Sequence, residues 1–419
     1  FKLVESGTDI KSYTYLYLPS TFTRIGDYSL AVTNIKYVYG SNNEIEVGNH
    51  AFENSKIVSI DIPISKIGEY AFRDCYKLNS VDISGEYLYT STDKIGSISI
   101  GKYAFYNCKS LSNVNKSIND TIFAEDIGEY AFYNTKMLYN IDLYNSDSIG
   151  KYAFYGSGIS KANFSISFET VNESAFENCK NLKELSFNGK RIESRAFWGS
   201  GIEKIFLGNA EYIAENAFAY APIKSQNGTS QYDGLYQVVP ELGIVENSSK
   251  LLVGFTNAVG ASNSKITKDI TEIGNYAFTG NNNLKKITIP TNVIKIGTHA
   301  FEDCYQLSDV YMLGNTINFD NNPFKRTFEG EIQGADLKIY VYKNSEIKQI
   351  LKNKNLNYRH IEPDEIVVTN YENAYKALSQ VDLQALNVKL IYHEEKDREE
   401  VLSTLDLGTV APISYGVGF

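Results

Sequence analysis

Residues with reactive chemistry are few in this 419-residue chain, and their spacing fits no catalytic constellation. Gly96-Ser97-Ile98-Ser99-Ile100-Gly101-Lys102 satisfies the GxxxxGK pattern of a loop that cradles phosphates with backbone N–H groups and a lysine. Tyr103, however, stands where that loop needs a Ser or Thr hydroxyl to hold magnesium. The Gly-Lys pair returns at Gly150-Lys151, so it reads as part of a recurring phrase rather than a nucleotide site. His393-Glu394-Glu395 begins like a zinc-protease helix, but Asp397 occupies the place of the second histidine. His50, His299 and His360 are scattered, no GxSxG elbow is present, and no Cys has a His positioned in the same repeat. The expectation is a protein that is not an enzyme, with no catalytic, cofactor-binding or metal-ligating residue.

The cysteines follow a pattern of their own. Cys75, Cys108, Cys179 and Cys304 each sit three residues after a recurring Phe, where other repeats carry Ser55, Thr135, Ser157, Ser200 or Ala221. A site that accepts Cys, Ser, Thr or Ala is small and faces inward, and a buried thiol there is inert packing. Cys75 and Cys108 alone lie on neighbouring repeats, which leaves a disulfide between them geometrically open. A metal site lacks the CxxC or paired-His spacing that it needs.

What positions all of these residues is a repeat. Ala-Phe recurs ten times, with Phe-to-Phe steps of 20, 33, 27, 22, 22, 21, 21, 60 and 23 residues from Phe52 to Phe301. A recurrent step in the twenties defines a solenoid, which grows by adding rungs rather than by enlarging one core. Ile67-Gly68-Glu69-Tyr70-Ala71-Phe72 is the cleanest copy. After the Phe come a few small or polar residues, then a Leu or Ile, then a short alternating strand such as Leu78–Ile83 or Leu284–Ile289. The Gly allows a conformation or a close approach that a Cβ would block. The Ala keeps one side small so that Phe rings stack along the axis, and Ala-Phe reads as a single helical turn. His50 and His299 fill the place of the Tyr and are rung residues. The column Glu69, Lys102, Glu129, Lys151, Glu173 alternates in sign and predicts a cross-rung charge ladder, with Tyr70, Tyr103, Tyr130 and Tyr152 stacked beside it.

The repeat divides the chain. Residues 1–50 read as degenerate rungs, with Ile25-Gly26-Asp27-Tyr28-Ser29-Leu30 carrying Ser-Leu for Ala-Phe. Rung sequence starts almost at Phe1, so the amino end reads as a cut edge. Residues 51–313 are the regular repeats, lengthened by surface loops at 84–97 and 114–126. An insertion at 224–268 contains two strand-like runs, Asp233–Val239 and Leu251–Phe255, that read as a hairpin. Residues 314–362 read as an α/β cap: strand 337–342, helix 344–352, strand 357–361. The segment 363–419 has no assignable fold, with a helix over 370–380, a strand over Leu386–Tyr392 and a charged helix or β-turn region over 394–405.

A net charge of −10 and a pI near 5.1 argue against nucleic acid or an anionic membrane as the main partner. No run approaches the roughly 18 apolar residues of a membrane span.

The pattern Ile-Gly-x-Tyr-Ala-Phe-x-x-Cys-x-x-Leu-x-x-Val-x-Ile resembles the BspA-like leucine-rich-repeat proteins over residues 20–313. The Asp233-Gly234-Leu235-Tyr236 insertion and the Lys338–Val341 strand-helix cap resemble features of the same family. The resemblance implies an α/β leucine-rich-repeat solenoid, curved, with a parallel β-sheet on its concave face, an inserted β-hairpin and a small α/β C-terminal cap. It also implies secretion or display at a bacterial cell surface, and adhesion to host proteins or other cells. Leu386–Tyr392 resembles the start of a bacterial immunoglobulin-like module.

On that basis the chain is expected to be a non-enzymatic recognition or adhesion protein. Its partner would be a protein or glycan on host or neighbouring cells, bound over the concave face. The competing expectation is a structural module of an envelope layer or larger surface protein without a dedicated ligand; an accessory to carbohydrate-processing enzymes is a third class. Equivalent residues of successive rungs stack roughly 4.8 Å apart, so contact residues are sought in the column that contains Asp82. Its members Asp61, Asp82, Asn115, Asp142, Asn163, Phe206 and Tyr311 are the candidate partner-binding residues, with Ser186 and Thr288 in the same column. The early half is acidic or amide, the later half more apolar. Asp61 and Asp82 on adjacent rungs repel each other; either a cation or basic partner group bridges them, or water screens them on a solvated face. Phe206 and Tyr311 are the expected aromatic anchors.

Overall fold

The computed structural model describes residues 2–4, 14–40, 43–83, 98–114, 124–139, 141, 143, 146–226, 236–239, 243–246, 251–255, 263–319, 321–325, 337–361, 365–369, 387–391 and 399–402. Each rung has three runs, and each run builds its own ladder along the solenoid axis.

The first ladder is the broad sheet. Tyr15–Leu18, Tyr37–Gly40, Ser59–Asp61 and Ser80–Val81 pair in parallel at the amino end. Lys161–Phe164, Glu184–Phe187, Lys204–Leu207 and Ser225–Gln226 do so in the middle. Asn263–Lys265, Lys286–Ile289, Asp309–Met312, Lys338–Val341 and Tyr358–His360 complete it. Burial alternates along Tyr15–Leu18, Lys161–Phe164, Lys204–Leu207 and Lys286–Ile289, so every second side chain there enters the core and the others stand on the concave face, whereas Ile339, Tyr340 and Val341 are all buried.

The second ladder lies just before each Ile-Gly and goes beyond the single strand per rung that the sequence pattern suggests. Nine short parallel strands run from Arg24–Ile25 to Tyr212–Ile213, and the set resumes with Leu251–Phe255, Glu272–Ile273, Lys295–Ile296 and Asn318–Phe319. Most of these strands have only two to four residues, too little alternation for a pattern reading to register.

The Ala-Phe run forms the third ladder, and it is not a free-standing helical turn. Alternate N–H groups serve different partners. His50, Phe52 and Asn54 donate forward to the carbonyls of Glu69, Ala71 and Arg73 on the next rung, at 2.8, 2.7 and 2.9 Å. Ala51, Glu53 and Ser55 donate back three residues within their own rung, to Gly48, His50 and Phe52. The alternation needs left-handed residues. Tyr70 and Asp74, Tyr103 and Asn107, and Tyr130 and Asn134 have φ between 55 and 60°, and His50 and Asn54 match them at 54 and 56°. A left-handed Tyr is strained, and the stacking of its ring on both neighbours offsets the cost.

The glycine of the phrase serves close approach rather than left-handed backbone. A Cβ on Gly101 would lie 2.5 Å from the backbone of Gly68, and one on Gly150 would lie 2.5 Å from Glu129. Inside the ladders the Phe rings stack as expected. Phe52, Phe72, Phe105, Phe132, Phe154, Phe176, Phe197 and Phe218 follow one another at 5.0–5.3 Å between centroids. Phe278, Phe301 and Phe324 form a second run at 5.0 and 5.3 Å. Phe324 belongs to a further rung, with Pro323 in place of Ala accepting the Phe301 N–H at 2.8 Å.

The insertion separates two core clusters, one running from Leu16 to Ile223 with Ile244, the other starting at Val245 and Leu252. The inserted hairpin carries a strand that the sequence pattern hides. Gly243–Glu246 lies between Tyr236–Val239 and Leu251–Phe255, antiparallel to both, and Leu251–Phe255 passes into the second ladder beside Glu272–Ile273. Adjacent Ile244 and Val245 point to opposite faces, which is why each joins a different core. The turn side bridges the gap: Glu215 accepts the Asn275 N–H, and the Tyr220 hydroxyl donates to Asp303 at 2.8 Å.

The two ends differ. At the amino edge Lys2–Val4 pairs antiparallel with Tyr15–Leu18, so the sheet does not open with a bare parallel edge there. At the other end Lys338–Val341 extends the first ladder, and helix Ile347–Asn353, the one α-helix among the described residues, buries Ile347 and Leu351 against it. Glu365–Thr369, Asn387–Ile391 and Glu399–Leu402 form a three-stranded antiparallel sheet. The helix expected over 370–380 lies outside the described residues.

Candidate interaction face

The turn side carries stacked rings and paired charges that link one rung to the next. Tyr28, His50, Tyr70, Tyr103, Tyr130 and Tyr152 stack in one unbroken column at 4.5–4.8 Å, with Tyr106, Tyr133 and Tyr155 in a second column beside it at 4.8 and 4.7 Å. His50 is thus a rung residue as expected, and His299 stacks on Tyr276 in the same way. The alternating column resolves into pairs: Lys102 to Glu129 at 2.5 Å and Lys151 to Glu173 at 3.0 Å. In both lysines the hydrogen bond to the carboxylate holds the ammonium above its usual range. In the GxxxxGK phrase Lys102 is engaged by Glu129 and Gly101 is pressed on Gly68, while Gly96 and Ser97 lie outside the described residues. His393 lies outside the described residues.

The four cysteines are buried free thiols. Cys75, Cys108, Cys179 and Cys304 each donate to the carbonyl of a Phe on the preceding rung, Phe52, Phe72, Phe154 and Phe278, at 2.9–3.0 Å. Their common partner explains why Cys75 and Cys108 are not bridged: each sulfur points along the axis to satisfy a carbonyl. Burial pushes the Cys75 and Cys179 thiols up to about 12 and raises Cys108 as well. Among the described residues no group of three or more His, Cys, Asp or Glu converges as a metal site would require.

The concave sheet is different in kind. Register aligns Asn163 with Ser186 and Ser186 with Phe206, and aligns Thr288 with Tyr311, as the column reading expects. Asn163 and Phe206 come together with Glu184, Leu185 and Ser186 around a shallow concavity of about 350 Å³. Phe206 is half-buried there, its neighbours on the strand being buried Ile205 and Leu207. Glu184 stands between Lys161 and Lys204, each at 3.3 Å, and Glu203 between Lys183 at 3.0 Å and Lys224 at 2.7 Å. Hydrogen bonds from the flanking lysines, Lys161 first for Glu184 and Lys224 first for Glu203, hold both carboxyls below their usual range. Tyr311 stacks on Tyr340 at 4.5 Å under the Lys286 ammonium.

The early column departs from an exposed acidic ladder. Asp61 is exposed, but Asp82 is only 8% exposed. Its strand ends at Val81, and the rung of Asn113 and Val114 closes on it through the Val81 and Ile83 N–H groups, each at 3.2 Å. Asn115 and Asp142 lie outside the described residues.

A column that starts at Asp61 omits the rungs before it. Tyr15 and Tyr37 pair in one column, Tyr17 and Tyr39 in the next, and the second continues into Asp61. Tyr15, Tyr17 and Tyr39 are 40, 52 and 37% exposed, which makes this the most aromatic part of the concave face. The alternating Tyr15-Leu16-Tyr17 and Tyr37-Val38-Tyr39 carry the signal, obscured because neither rung has the Ala-Phe marker.

Stacked parallel strands, a buried Phe column and one short helix define a leucine-rich-repeat type of β-solenoid. Residues 8–99, 98–224 and 253–329 match the BspA type leucine rich repeat region, in six copies, and the chain belongs to that family. No curated protein matches it. Among solved structures it is similar to a leucine rich cell surface protein from Faecalibacterium prausnitzii, at 16% identity and TM-score 0.48, over 84% of this chain and 88% of that one. It is also similar to a leucine-rich repeat protein from Bacteroides ovatus, at 16% identity and TM-score 0.44, over 85% and 94%. The pneumococcal vaccine antigen PcpA matches at 15% identity and TM-score 0.25, over 86% and 82%. Among the described residues no helix is long and apolar enough to cross a membrane.

Proposed function

We propose that the chain is a non-enzymatic recognition module, secreted or displayed at a cell surface, that binds a protein or glycan across its concave sheet. The observation that carries this is a division of labour within each rung. Inward and turn-side positions repeat, whereas concave positions change from rung to rung and expose aromatics on rigid strands. Residues that vary on a fixed scaffold, with half-exposed Phe206 and Tyr311 among them, suit a rigid binding surface whose aromatics lose little freedom on contact. The inserted strands, which pair into the second ladder rather than the concave sheet, offer a second contact element.

Binding of the chain to immobilised extracellular-matrix proteins and to a glycan array tests the reading, with Phe206→Ala and Tyr311→Ala as variants. A specific partner lost in either variant supports it. Ordered self-assembly seen by electron microscopy, with no ligand found, would instead make the chain a structural envelope module. Hydrolysis of any polymer by the chain alone would overturn its non-enzymatic assignment.

A further inference from the structure

We infer that the amino-terminal part of the concave face, built on Tyr15, Tyr17, Tyr37, Tyr39 and Asp61, binds a neutral oligosaccharide; this rests on the concave-face reading above. Three observations converge on that chemistry.

The first is preorganisation. The four tyrosines occupy two adjacent parallel strands in fixed register. Rings of Tyr15, Tyr37 and Tyr39 lie within 15–19° of parallel, with centroids 5.2 to 6.2 Å apart. Such an array offers aromatic faces at its ends and phenol hydroxyls along its rim, with little side-chain freedom left to lose. A pyranose ring presents the complement: an apolar C–H face for the electron-rich ring and a rim of hydroxyls. Tyr17, the most exposed of the four, is the stacking platform.

The second is the polarity of the positions next to the tyrosines. The Tyr15–Tyr37 column continues into Ser59 and Ser80, and the Tyr17–Tyr39 column into Asp61. From Tyr15 to Ser80 and from Tyr17 to Asp61 neither column holds a Lys or Arg, and Lys2 stands opposite Tyr17 on the edge strand. Hydroxyl donors are welcome on such a surface, and a sulfated, sialylated or phosphorylated ligand meets the Asp61 carboxylate at its inner end. The middle of the sheet, with its Lys161–Glu184–Lys204 array, is built for different company.

The third is what the backbone withholds. These strands are paired on both sides, Tyr15–Leu18 between Lys2–Val4 and Tyr37–Gly40, and Tyr37–Gly40 between Tyr15–Leu18 and Ser59–Asp61. A peptide cannot add itself as another strand here, and the apolar side chains Leu16, Leu18 and Val38 point into the core rather than lining a groove. What Tyr15, Tyr17, Tyr37, Tyr39, Ser59 and Asp61 present to a ligand is hydroxyls, a carboxylate and aromatic rings, a set that a sugar uses.

Calorimetric titration of the whole chain with cellohexaose, maltohexaose, laminarihexaose and chitohexaose, and with a heparin hexasaccharide as the anionic comparison, tests the inference. Saturable binding of at least one neutral probe is expected. Tyr17→Ala and Tyr39→Ala should each weaken it about tenfold, as for a central aromatic contact, whereas Tyr17→Phe keeps most of it and Lys66→Ala, on the second ladder, leaves it unchanged. Unaltered melting of the variants shows that the solenoid is intact. The inference is overturned if no neutral probe binds, if only heparin binds, or if Tyr17→Ala/Tyr39→Ala in a folded chain binds as the parent does. Failure here with matrix-protein binding retained leaves the broader recognition reading standing, whereas loss of both removes the two together.

Discussion

The turn side and the sheet side of a rung are made by the same stretch of chain, yet they obey opposite rules. On the turn side residue type is nearly fixed: Phe stacks on Phe, Tyr on Tyr or His, and Gly presses on backbone. On the sheet side the same column passes from Tyr39 to Asp61, and further along from Asn163 through Ser186 to Phe206. A position is fixed when its side chain must meet its own copy on the next rung with no water between them. It is released when one of its faces is solvent. The contrast therefore separates what holds the stack from what is available to a partner.

The sharpest way to break the contrast is to remove one ring from each side. Phe132→Ala should cost about 3–5 kcal/mol, the range for truncating a fully buried Phe, whereas half-buried Phe206→Ala should cost less than about 1 kcal/mol. Equal losses in urea melts would erase the distinction. Next in size is Gly101→Ala, where a methyl must displace backbone; about 1–3 kcal/mol is expected for such overpacking, and a neutral result would mean that adjacent rungs slide apart freely.

The thiols sharpen the same comparison through pH. Cys75 and Cys179 stay protonated in the folded chain to about 12, while an unfolded thiol ionises near 8.5. Below the unfolded value they add no pH dependence. Between the two values only the unfolded chain loses protons, so stability falls as pH rises across that window. Melting curves from pH 8 to 11 should show the decline, and Cys75→Ala/Cys179→Ala should flatten it. Native thiols should resist alkylation at pH 8 until the chain unfolds.

The smallest effect belongs to the exposed charge pairs. Lys102→Glu combined with Lys151→Glu should lower the melting temperature slightly at low ionic strength and leave it unchanged at high salt. A loss that persists in high salt would mean that these side chains act by packing instead.

The repeat makes the stacking axis, the buried Phe column and the fill-in role of His50 legible in the sequence, because each depends on a residue meeting its own kind at a regular interval. Three features are not legible. The second ladder is too short per rung to alternate. The strand Gly243–Glu246 comes soon after Pro240 and begins with Gly, and so lacks the usual strand composition. The alternation over 13–19 reads as a strand, as Tyr15–Leu18 is, but the columns that its tyrosines share with Tyr37, Tyr39 and Asp61 precede the first Ala-Phe and so fall outside the register that this marker defines. Asp61 is exposed as its column implies, but Asp82 is not, since burial at a strand end depends on how the next rung closes and leaves no trace in spacing. In each case the hidden feature is set by the neighbouring rung rather than by the rung itself.

The forward hydrogen bonds of the turn ladder also give that run a direction. Each rung sends N–H groups toward the carboxyl end, from Tyr28, Leu30 and Val32 at the start to Phe301 near the finish. Within this run, acceptor carbonyls face the amino end and N–H groups the other, while the glycine N–H groups before it, such as Gly68 to Val47 and Gly101 to Ile67, point the opposite way. The two ends of the run therefore need opposite capping chemistry. Asn322 supplies it at the last rung, where its side-chain oxygen accepts the Phe324 N–H at 3.0 Å.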